Sequence, residues 1–232
     1  MAIYALSDLH LSFGTDKPMD IFGDIWKNHA QRIRENWIQV VGEDDVVLIP
    51  GDISWAISLD EAVPDFRFIE SLPGTKIISK GNHDYWWSTK RKFQAYLETH
   101  GFKTIRMLHN NAFRIGDFAV CGTRGWNDPG DPDFTEEDRK IFRRELDRLR
   151  LSLEEGRRLG GEIIAMLHYP PFDAEHRMND FGALMKEYGV GICIYGHIHG
   201  RGDAVWKNEL ADGIRFSLVS ADFLSFTPIR IV

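Results

Sequence analysis

The stretch KIISKGNHD (residues 76–84) joins a short apolar run to an unspaced cluster of polar side chains. The two isoleucines of the run are typical of a buried strand, and Gly81 ends it. Asn82, His83 and Asp84 follow without a spacer. Polar side chains this dense at the end of a buried strand need hydrogen-bonding partners or a chemical role.

Four other apolar runs end in the same way. IYAL leads into SDLH, VVLIP into GD, IIAML into HYPP and GICIY into GHIH, so a carboxylate or an imidazole follows each run. Ligands bind at the carboxyl ends of strands in open α/β sheets, because the loops there converge on one crevice. The five segments are therefore predicted to bring together Asp8, His10, Asp52, Asn82, His168, His197 and His199.

Short apolar runs alternate with helical patterns along the chain, which predicts α/β layers. The predicted strands lie in IYAL, VVLIP, KIIS, FAVCG, EIIAML, VGICIY and FSLVS. The predicted helices cover residues 20–41, 58–71, 90–100, 135–159 and 180–188. Thr135 is the expected N-cap of the longest helix, and Gly160 with Gly161 its expected stop. No repeat or linker divides the sequence, so a single domain is predicted over residues 1–232.

Composition narrows the class of protein. The 232-residue chain is 43% hydrophobic, enough to bury a sizeable core. Its net charge of −7 provides no overall basic field to attract nucleic acid or an anionic membrane. The N-terminus reaches Asp8 and His10 too early for a signal peptide or a bilayer span, so the expected location is cytoplasmic. Cys121 and Cys193 lie inside apolar runs and are predicted to be buried free thiols.

The residue types in the strand-end motifs indicate a metal site. Carboxylate, imidazole and amide oxygen suit hard to borderline divalent ions, and the lack of paired cysteines excludes a thiolate zinc site. Residues two apart in an extended chain point to the same side, so Asp8 with His10, and His197 with His199, are predicted to share one cavity. A single His-x-His or Gly-Asp is more often structural, but five such motifs in this order favour metal binding.

The motif series SDLH, GD, GNHD, H and GHIH resembles that of the calcineurin-like metallophosphoesterases, over residues 8–199. The resemblance implies an α/β fold of two packed mixed β-sheets flanked by helices, a four-layer sandwich, with two divalent metal ions at the strand ends. Mn²⁺ or iron is the implied metal, with Zn²⁺ as the alternative. By motif position, one ion would take Asp8, His10, Asp52 and His199. The other would take Asp52, Asn82, His168 and His197, with Asp52 bridging and His83 meeting the substrate.

The sequence departs from two branches of that family. The protein serine/threonine phosphatases continue the second motif as Gly-Asp-x-x-Asp-Arg-Gly, whereas this chain reads GDISWA and lacks the aspartate that pairs there with the catalytic histidine. Asp84 is expected either to hold the imidazole of His83 or to cap the following helix. The SDLH opening is similar to lipid-A pathway pyrophosphatases, which commonly have arginine at the position of His83. The chain is closer to bacterial phosphohydrolases whose substrates no motif defines.

The implied centre suits phosphoryl transfer. Two divalent ions provide a hydroxide at neutral pH and clamp the phosphoryl oxygens of an in-line displacement. Asp8, Asp52 and one hydroxide offset three of the four positive charges, so the centre keeps a net positive charge for a phosphate anion. His83 has the near-neutral pKa that suits protonation of the leaving oxygen.

Other side chains are candidates for the pocket rim. Arg124, Trp126 and Tyr169 are predicted to contact the substrate, although a structural ion pair explains Arg124 equally well. Trp86 and Trp87 are expected in the core rather than along a substrate wall. Substrate choice is assigned to the loops at residues 12–25, 126–133 and 172–180. The arginines of helix 135–159 alternate with acidic residues, which favours a solvated helix with ion pairs over a nucleic-acid face.

The sequence therefore predicts a metal-dependent phosphoesterase that acts on a small phosphorylated substrate, a monoester or a diester. The alternatives within the same fold are a nuclease and a nucleotide or pyrophosphate hydrolase. Nucleic acid is the less expected partner, because the net charge predicts no basic track. A catalytically inactive binding module is the remaining alternative, and it is disfavoured because all the candidate ligands are present together with His83.

Overall fold

Two β-sheets form the centre of the computed structural model, which describes residues 1–200 and 209–232. The first sheet has the strand order β11-β1-β2-β3-β4 and the second β5-β6-β7-β8-β10-β9. The first sheet is built from β1 (Ile3–Ala5), β2 (Val46–Pro50), β3 (Thr75–Ser79), β4 (Ile105–Met107) and β11 (Ile229–Arg230). The second is built from β5 (Phe113–Ile115), β6 (Phe118–Thr123), β7 (Glu162–Leu167), β8 (Val190–Tyr195), β9 (Glu209–Ala211) and β10 (Ile214–Leu218).

Both sheets are mixed, with parallel strands in the middle. Strands β1 to β4 run parallel, as do β6, β7, β8 and β10, and antiparallel strands lie at the edges. The inner strands are mostly apolar, as expected for parallel strands in sheets that are covered on both faces. Because the parallel strands run in the same direction, the loops that follow them lie together at the carboxyl edge of each sheet.

Helices cover the outer face of each sheet. They are α1 (His29–Val40), α2 (Val63–Glu70), α3 (Lys90–His100), α4 (Glu136–Leu159) and α5 (Asp180–Glu187). Trp37, Phe66 and Phe93 pack α1, α2 and α3 onto the first sheet. Leu149 of α4 and Phe181 of α5 pack onto the second sheet. A third apolar cluster fills the space between the sheets, so the predicted four-layer sandwich is confirmed.

Two predicted helices are shorter than the sequence pattern suggested. The segment 20–41 is interrupted, because Gly23 and Asn28 have positive φ angles of 124° and 53°. Two short 3-10 turns, Met19–Phe22 and Asp24–Trp26, precede α1. The predicted helix 58–71 begins only at Val63, one residue before Pro64, which favours a first helical turn.

The longest helix agrees closely with its prediction. Thr135 caps α4 in a capping box with Asp138, and Gly160 follows its last residue. Most arginines of α4 lie on the solvated side, where neighbouring acids pair with them. Among the acidic residues of α4, Glu145 differs from those on the solvated side. It is buried, and it accepts hydrogen bonds from Thr123 and Arg148.

The pattern missed β4, β5, β9 and β11, which have three residues or fewer, too few to show a period. Cys121 and Cys193 are free and buried, as predicted. Among the described residues, no helix combines the length and the apolar character that a membrane span requires.

Candidate metal centre

The strand-end residues of both sheets meet at one end of the sandwich. The first sheet contributes Asp8 and His10 after β1, Asp52 after β2 and Asn82 after β3. The second sheet contributes His168 after β7, and His197 with His199 after β8. The structure therefore brings all seven predicted ligands together, in two groups that we call the first and the second ligand group.

The first ligand group consists of Asp8, His10 and His199. The Nε2 atoms of His10 and His199 lie 3.3 Å apart. His199 Nε2 is 3.6 Å from Asp8 Oδ1. The three ligand atoms lie within 4.8 Å of one another, which places them around a volume suited to one ion.

The second ligand group consists of Asn82, His168 and His197. Asn82 Oδ1 lies 2.6 Å from His168 Nε2 and 3.0 Å from His197 Nδ1. One amide oxygen and two imidazole nitrogens thus point at a common place. This set of neutral donors fits a divalent ion that draws its balancing charge from a shared carboxylate.

Asp52 stands between the two groups. Its Oδ2 atom is 3.8 Å from His10 Nε2 and 3.4 Å from His168 Nε2. Its Oδ1 atom accepts the backbone N–H of His83 at 2.8 Å, which fixes the carboxylate. A single carboxylate therefore faces both groups.

A hydrogen bond on the far side of the His168 imidazole selects its ligating nitrogen. His168 Nδ1 lies 3.0 Å from the carbonyl oxygen of Pro50, which can only accept, so Nδ1 carries the proton and Nε2 is free to ligate. His168 Nδ1 is also 4.0 Å from Asp8 Oδ1, but a protonated nitrogen cannot be a ligand. His168 accordingly belongs to the second group and Asp8 to the first.

Asp222 was not predicted from the sequence. Its Oδ1 atom lies 3.0 Å from His199 Nδ1, and its Oδ2 atom accepts the N–H of Gly200 at 2.7 Å. It orients His199 so that Nε2 faces Asp8. The signal was present in VSADF, where an aspartate follows strand β10 just as Asp8 follows β1.

The backbone is strained at four of the seven predicted ligands. Asp8, His10, Asp52 and His197 have φ angles of 57°, 45°, 50° and 72°. Residues other than glycine rarely adopt such angles, and they persist where the surroundings impose them, commonly at functional sites. The strain here coincides with the residues that converge on the centre.

Two glycines allow the loops to approach. A Cβ atom on Gly81 would collide with the carboxylate and backbone nitrogen of Asp52, and one on Gly196 would collide with Asp8 and Ser7. The neighbours of these glycines are therefore ligands or their hydrogen-bonding partners. The side chain of Ser7 donates to Asp8 Oδ2, and the backbone N–H of His197 lies 3.1 Å from both Asp8 oxygens.

Burial shifts the pKa values of the carboxylates and the imidazoles in opposite directions, and it lowers the pKa of His10 in the first group as it does those of the second-group histidines. It raises the pKa of Asp8 to about 7 and lowers the pKa of both His168 and His197 to about 3. Burial alone would lower the pKa of His199, but the hydrogen bond to Asp222 and the charges of Asp8 and Asp222 outweigh it and raise that pKa to about 9.

His83 lies beside the centre and belongs to neither group. Its Nε2 atom is 4.0 Å from Asp52 Oδ2, and its side chain is 35% exposed. The ring packs on Trp55, with the two centroids 4.3 Å apart. Among the residues that the structure describes, its buried Nδ1 atom has no hydrogen-bonding partner. Packing against Trp55, rather than a carboxylate, therefore holds this imidazole.

Asp84 does not hold His83, which corrects the sequence expectation. Its buried carboxylate accepts backbone N–H groups of Asp52, Ile53 and Gly81 at 2.8–3.0 Å, with further bonds from Ser54 N–H and Trp86 Nε1–H at 3.3 and 3.1 Å. Its role is to tie the loop after β2 to the loop after β3. The alternative expectation of a helix cap is also wrong, because Thr89 caps α3.

The three predicted substrate contacts have different surroundings. Arg124 Nη2 lies 3.4 Å from Glu145 Oε1, and its guanidinium stacks on Trp126 at 4.2 Å, so the structural ion pair describes it. Trp126 Nε1 donates to Asp138 at 2.9 Å. The Tyr169 ring packs 4.2 Å from the ring of His197. Trp126 and Tyr169 line a cleft beside the centre, whereas Arg124 lines a separate small cavity.

Two clefts flank the centre. The first, which we call the aromatic pocket, has a volume of about 430 Å³, and the second, the acidic cleft, about 240 Å³. The aromatic pocket is lined by His10, His83 and His199, together with Met19, Phe22, Ile25, Trp26, Trp55, Gly200 and Asp222. The acidic cleft is lined by His197, Trp126 and Tyr169, together with Asn127, Asp128, Asp131, Pro170, Phe172, Asp173 and Ala174.

The tryptophans of the aromatic pocket are not the ones that the sequence singled out. Trp86 is buried in the core, 3% exposed, and Trp87 packs against the same cluster, as expected. Trp55 instead stacks on His10, with centroids 5.0 Å apart, and Trp26 meets His10 edge-on at 5.6 Å. Trp55 lies in GDISWA, three residues after Asp52, where proximity to a ligand was the available signal.

Comparison with known proteins places the fold. A family model described as calcineurin-like phosphoesterase matches residues 1–201. The Gene 66 protein of Mycobacterium phage L5 is 38% identical over 80 residues, which are 34% of this chain and span 37% of the length of that relative.

Solved structures match over nearly the whole chain. Phosphopantetheinyl hydrolase from Mycobacterium tuberculosis is 14% identical, with a TM-score of 0.58, over 100% of this chain and 95% of that chain. TT1561 of Thermus thermophilus is 15% identical, with a TM-score of 0.58, over 98% and 96% of the two chains. At such identities the structural matches show the fold alone.

Proposed function

The chain belongs to the calcineurin-like phosphoesterase family, and we propose that it hydrolyses phosphomonoesters or phosphodiesters of small molecules at the centre formed by its two ligand groups. The observation that carries the proposal is the position of Asp52, whose Oδ2 atom faces His10 at 3.8 Å and His168 at 3.4 Å. A carboxylate shared between two sets of ligands is the arrangement that two adjacent ions need.

The donor set supports divalent ions. Asp8, His10, Asp52 and His199 would hold one ion, and Asp52, Asn82, His168 and His197 the other. Oxygen and nitrogen ligands suit Mn²⁺, iron or Zn²⁺, of which we propose Mn²⁺ or iron. When bound, such a pair lowers the pKa of a coordinated water and withdraws charge from the phosphoryl oxygens.

The protein's own groups account for the remaining steps. Hydrolysis forms a bond from a water oxygen to phosphorus and breaks the bond from phosphorus to the leaving oxygen. His83 Nε2 faces Asp52 and the aromatic pocket, so we assign it the transfer of a proton to the leaving oxygen as that bond breaks. Trp55 holds the imidazole in place by packing.

Metal-dependent turnover tests the proposal. The protein is stripped with a chelator, reloaded with Mn²⁺ or Fe²⁺, and assayed with p-nitrophenyl phosphate and bis-p-nitrophenyl phosphate. We expect hydrolysis only after reloading. Asp52→Asn is expected to lower kcat about a thousandfold, since loss of a shared ligand removes several kcal/mol of transition-state stabilisation.

Asp44→Asn is the matched control, because Asp44 is exposed on the turn before β2. We expect this variant to keep wild-type turnover. In the wild-type protein, the ratio of the rates with p-nitrophenyl phosphate and with bis-p-nitrophenyl phosphate distinguishes a monoesterase from a diesterase. Hydrolysis that persists in Asp52→Asn contradicts the assignment of the centre. A reloaded protein that cleaves neither ester contradicts the proposal and favours a binding module.

A further inference from the structure

We propose that the aromatic pocket binds the leaving group and selects phosphate esters of aryl alcohols, an inference that rests on the proposed function of the centre. The pocket and the centre are continuous, because His10 and His199 of the first ligand group form its floor. His83 lines the same pocket. A leaving oxygen that takes its proton from His83 therefore directs its substituent into this space.

Several side chains on the walls of the pocket have no group that can donate a hydrogen bond. Met19, Phe22 and Ile25 have no hydrogen-bonding side-chain N–H or O–H group. The indole N–H of Trp55 is engaged, because it donates to the sulfur of Met19 at 3.1 Å. Asp222 also lines the pocket, but its two oxygens are already hydrogen-bonded to His199 and Gly200, and Lys17 Nζ lies 3.3 Å from the Trp55 ring centroid. The apolar side chains themselves offer a sugar or polyol hydroxyl no partner, so burying one against them is unfavourable.

Flat rings line the pocket and favour a planar occupant. The planes of Phe22 and Trp55 are 13° apart, with centroids separated by 6.4 Å. Trp26 presents its ring at a steep angle to His10 and His199, 76° and 67°. Aromatic groups gain from offset and edge-to-face contacts with such rings beyond the burial of their area.

The acidic cleft on the other side of the centre differs in charge. It also has aromatic side chains in its lining, Trp126, Tyr169 and Phe172, but Asp128, Asp131 and Asp173 stand among them, and His197 connects the cleft to the second ligand group. Carboxylates favour hydroxyl or cationic groups over a hydrocarbon ring. An aryl group is therefore expected to prefer the aromatic pocket, where Met19, Phe22 and Ile25 add apolar surface.

Binding measurements test the inference independently of turnover. Phenylphosphonate and 2-naphthylphosphonate, which have no ester bond to hydrolyse, are titrated into the Mn²⁺-loaded protein by calorimetry. We expect the naphthyl compound to bind about tenfold more tightly, because a second ring is removed from water. Phe22→Ser is expected to abolish that difference.

Phe13→Ser is the matched control. Phe13 and Phe22 have similar exposure, 54% and 56%, but Phe13 packs on Phe68 outside the pocket. We expect Phe13→Ser to keep the tenfold preference. Equal affinity for the two phosphonates, or an equal loss of preference in both variants, overturns the inference.

Turnover separates failure of the inference from failure of the proposed function. Phenyl phosphate and 2-naphthyl phosphate are compared with a third ester whose phenol has a similar acidity but carries a hydroxymethyl group. We expect kcat/KM to be highest for the naphthyl ester and lowest for the hydroxymethyl ester, because the pocket gains from apolar area and burying a hydroxyl there is unfavourable. Hydrolysis of all three at equal kcat/KM sustains the proposed function and removes this inference. Absence of metal-dependent hydrolysis contradicts the function itself, while the phosphonate affinities still decide whether the pocket prefers aryl groups.

Discussion

The two ligand groups contain similar residues but differ in their affinity for protons. Burial raises the pKa of Asp8 to about 7, and in the same group the pKa of His199 is about 9. In the second group burial lowers the pKa of His168 and His197 to about 3. Burial is the largest cause of the shifts of Asp8, His168 and His197. Only for His199 do the neighbours prevail, because the carboxylates of Asp8 and Asp222 outweigh burial and raise its pKa.

We therefore expect an ion that enters the first group to displace protons from Asp8 and His199, whereas the second group presents neutral donors. The first group also forms the floor of the aromatic pocket, where the proposed leaving group lies. Each group therefore borders one cleft, but the pKa of Asp8 and of His199 predicts that metal loading depends on pH in the first group and little in the second. The four predictions below test this division.

The largest effect is expected from a residue that belongs to neither group. His83→Gln removes the proposed proton donor and leaves all seven ligands in place. We expect kcat to fall about 10²–10⁴-fold, the usual contribution of a general acid. Initial rates and the metal content by mass spectrometry measure the two quantities, and the metal content should remain at the wild-type value.

Esters whose leaving alcohols differ in acidity provide a second test of the role of His83. Loss of a proton donor should affect an alkyl ester more than a p-nitrophenyl ester, because nitrophenolate leaves without protonation. His100→Gln is the control, since His100 lies at the end of α3 and packs against Tyr96. Equal losses for both esters, or wild-type rates in His83→Gln, contradict the assignment.

Asp222→Asn should weaken the first group alone. Asp222 orients His199 through a 3.0 Å hydrogen bond, and partners of this kind typically contribute 10–100-fold to metal affinity. Titration with Mn²⁺, followed by electron paramagnetic resonance, should show one weakened site and one unchanged site. Asp44→Asn should leave both sites unchanged. Equal weakening of both sites contradicts the division into two groups.

The pH dependence of metal loading provides the next test. A group with a raised pKa competes with the ion as the pH falls, so first-group affinity should be high at pH 8 and decline towards pH 6. Asp8, with a pKa of about 7, accounts for about a tenfold decline over that interval. His199 adds to it, whereas the low pKa values of His168 and His197 predict little change in the second group.

Calorimetry in two buffers of different ionisation enthalpy measures the protons released. We expect at least one proton for the first ion at pH 6.5 and none from the imidazoles of the second group. Equal proton release for the two ions would contradict the predicted difference in pKa between the first and the second ligand group.

The sequence was sufficient to predict the convergence of the ligands, because every ligand follows the end of a parallel strand. That position alone predicts the meeting of Asp52 and His168, which are far apart in the chain. The fold class followed from alternating strand and helix patterns. The interruption of helix 20–41 was harder to foresee, because Asn28 adopts a left-handed conformation that the hydrophobic period does not reveal.

The surroundings of the ligands were less predictable. Asp222 contacts His199, and Trp55 contacts His83. Both contacts join residues that are distant in the chain, so no spacing in the sequence predicts them. Asp84 illustrates the opposite error, because adjacency to His83 suggested a contact between side chains that point in different directions. The chain bends at residues 82–83 after β3 has ended, and Asp84 turns inward to the backbone N–H groups of Asp52 and Ile53.

The smallest change in the centre itself is expected from Asp84→Asn. The Asp84 carboxylate accepts backbone N–H groups through both oxygens. In Asp84→Asn the side-chain NH2 group would replace one of these oxygens and face N–H donors. We expect this change to lower the free energy of unfolding by about 2 kcal/mol. That corresponds to a Tm about 4–8 °C lower for a chain of this size. Turnover at saturating metal should change little, because Asp84 acts on the loops and not on His83. Loss of turnover with an unchanged Tm, measured beside Asp44→Asn, would restore the direct partnership with His83 that the sequence suggested.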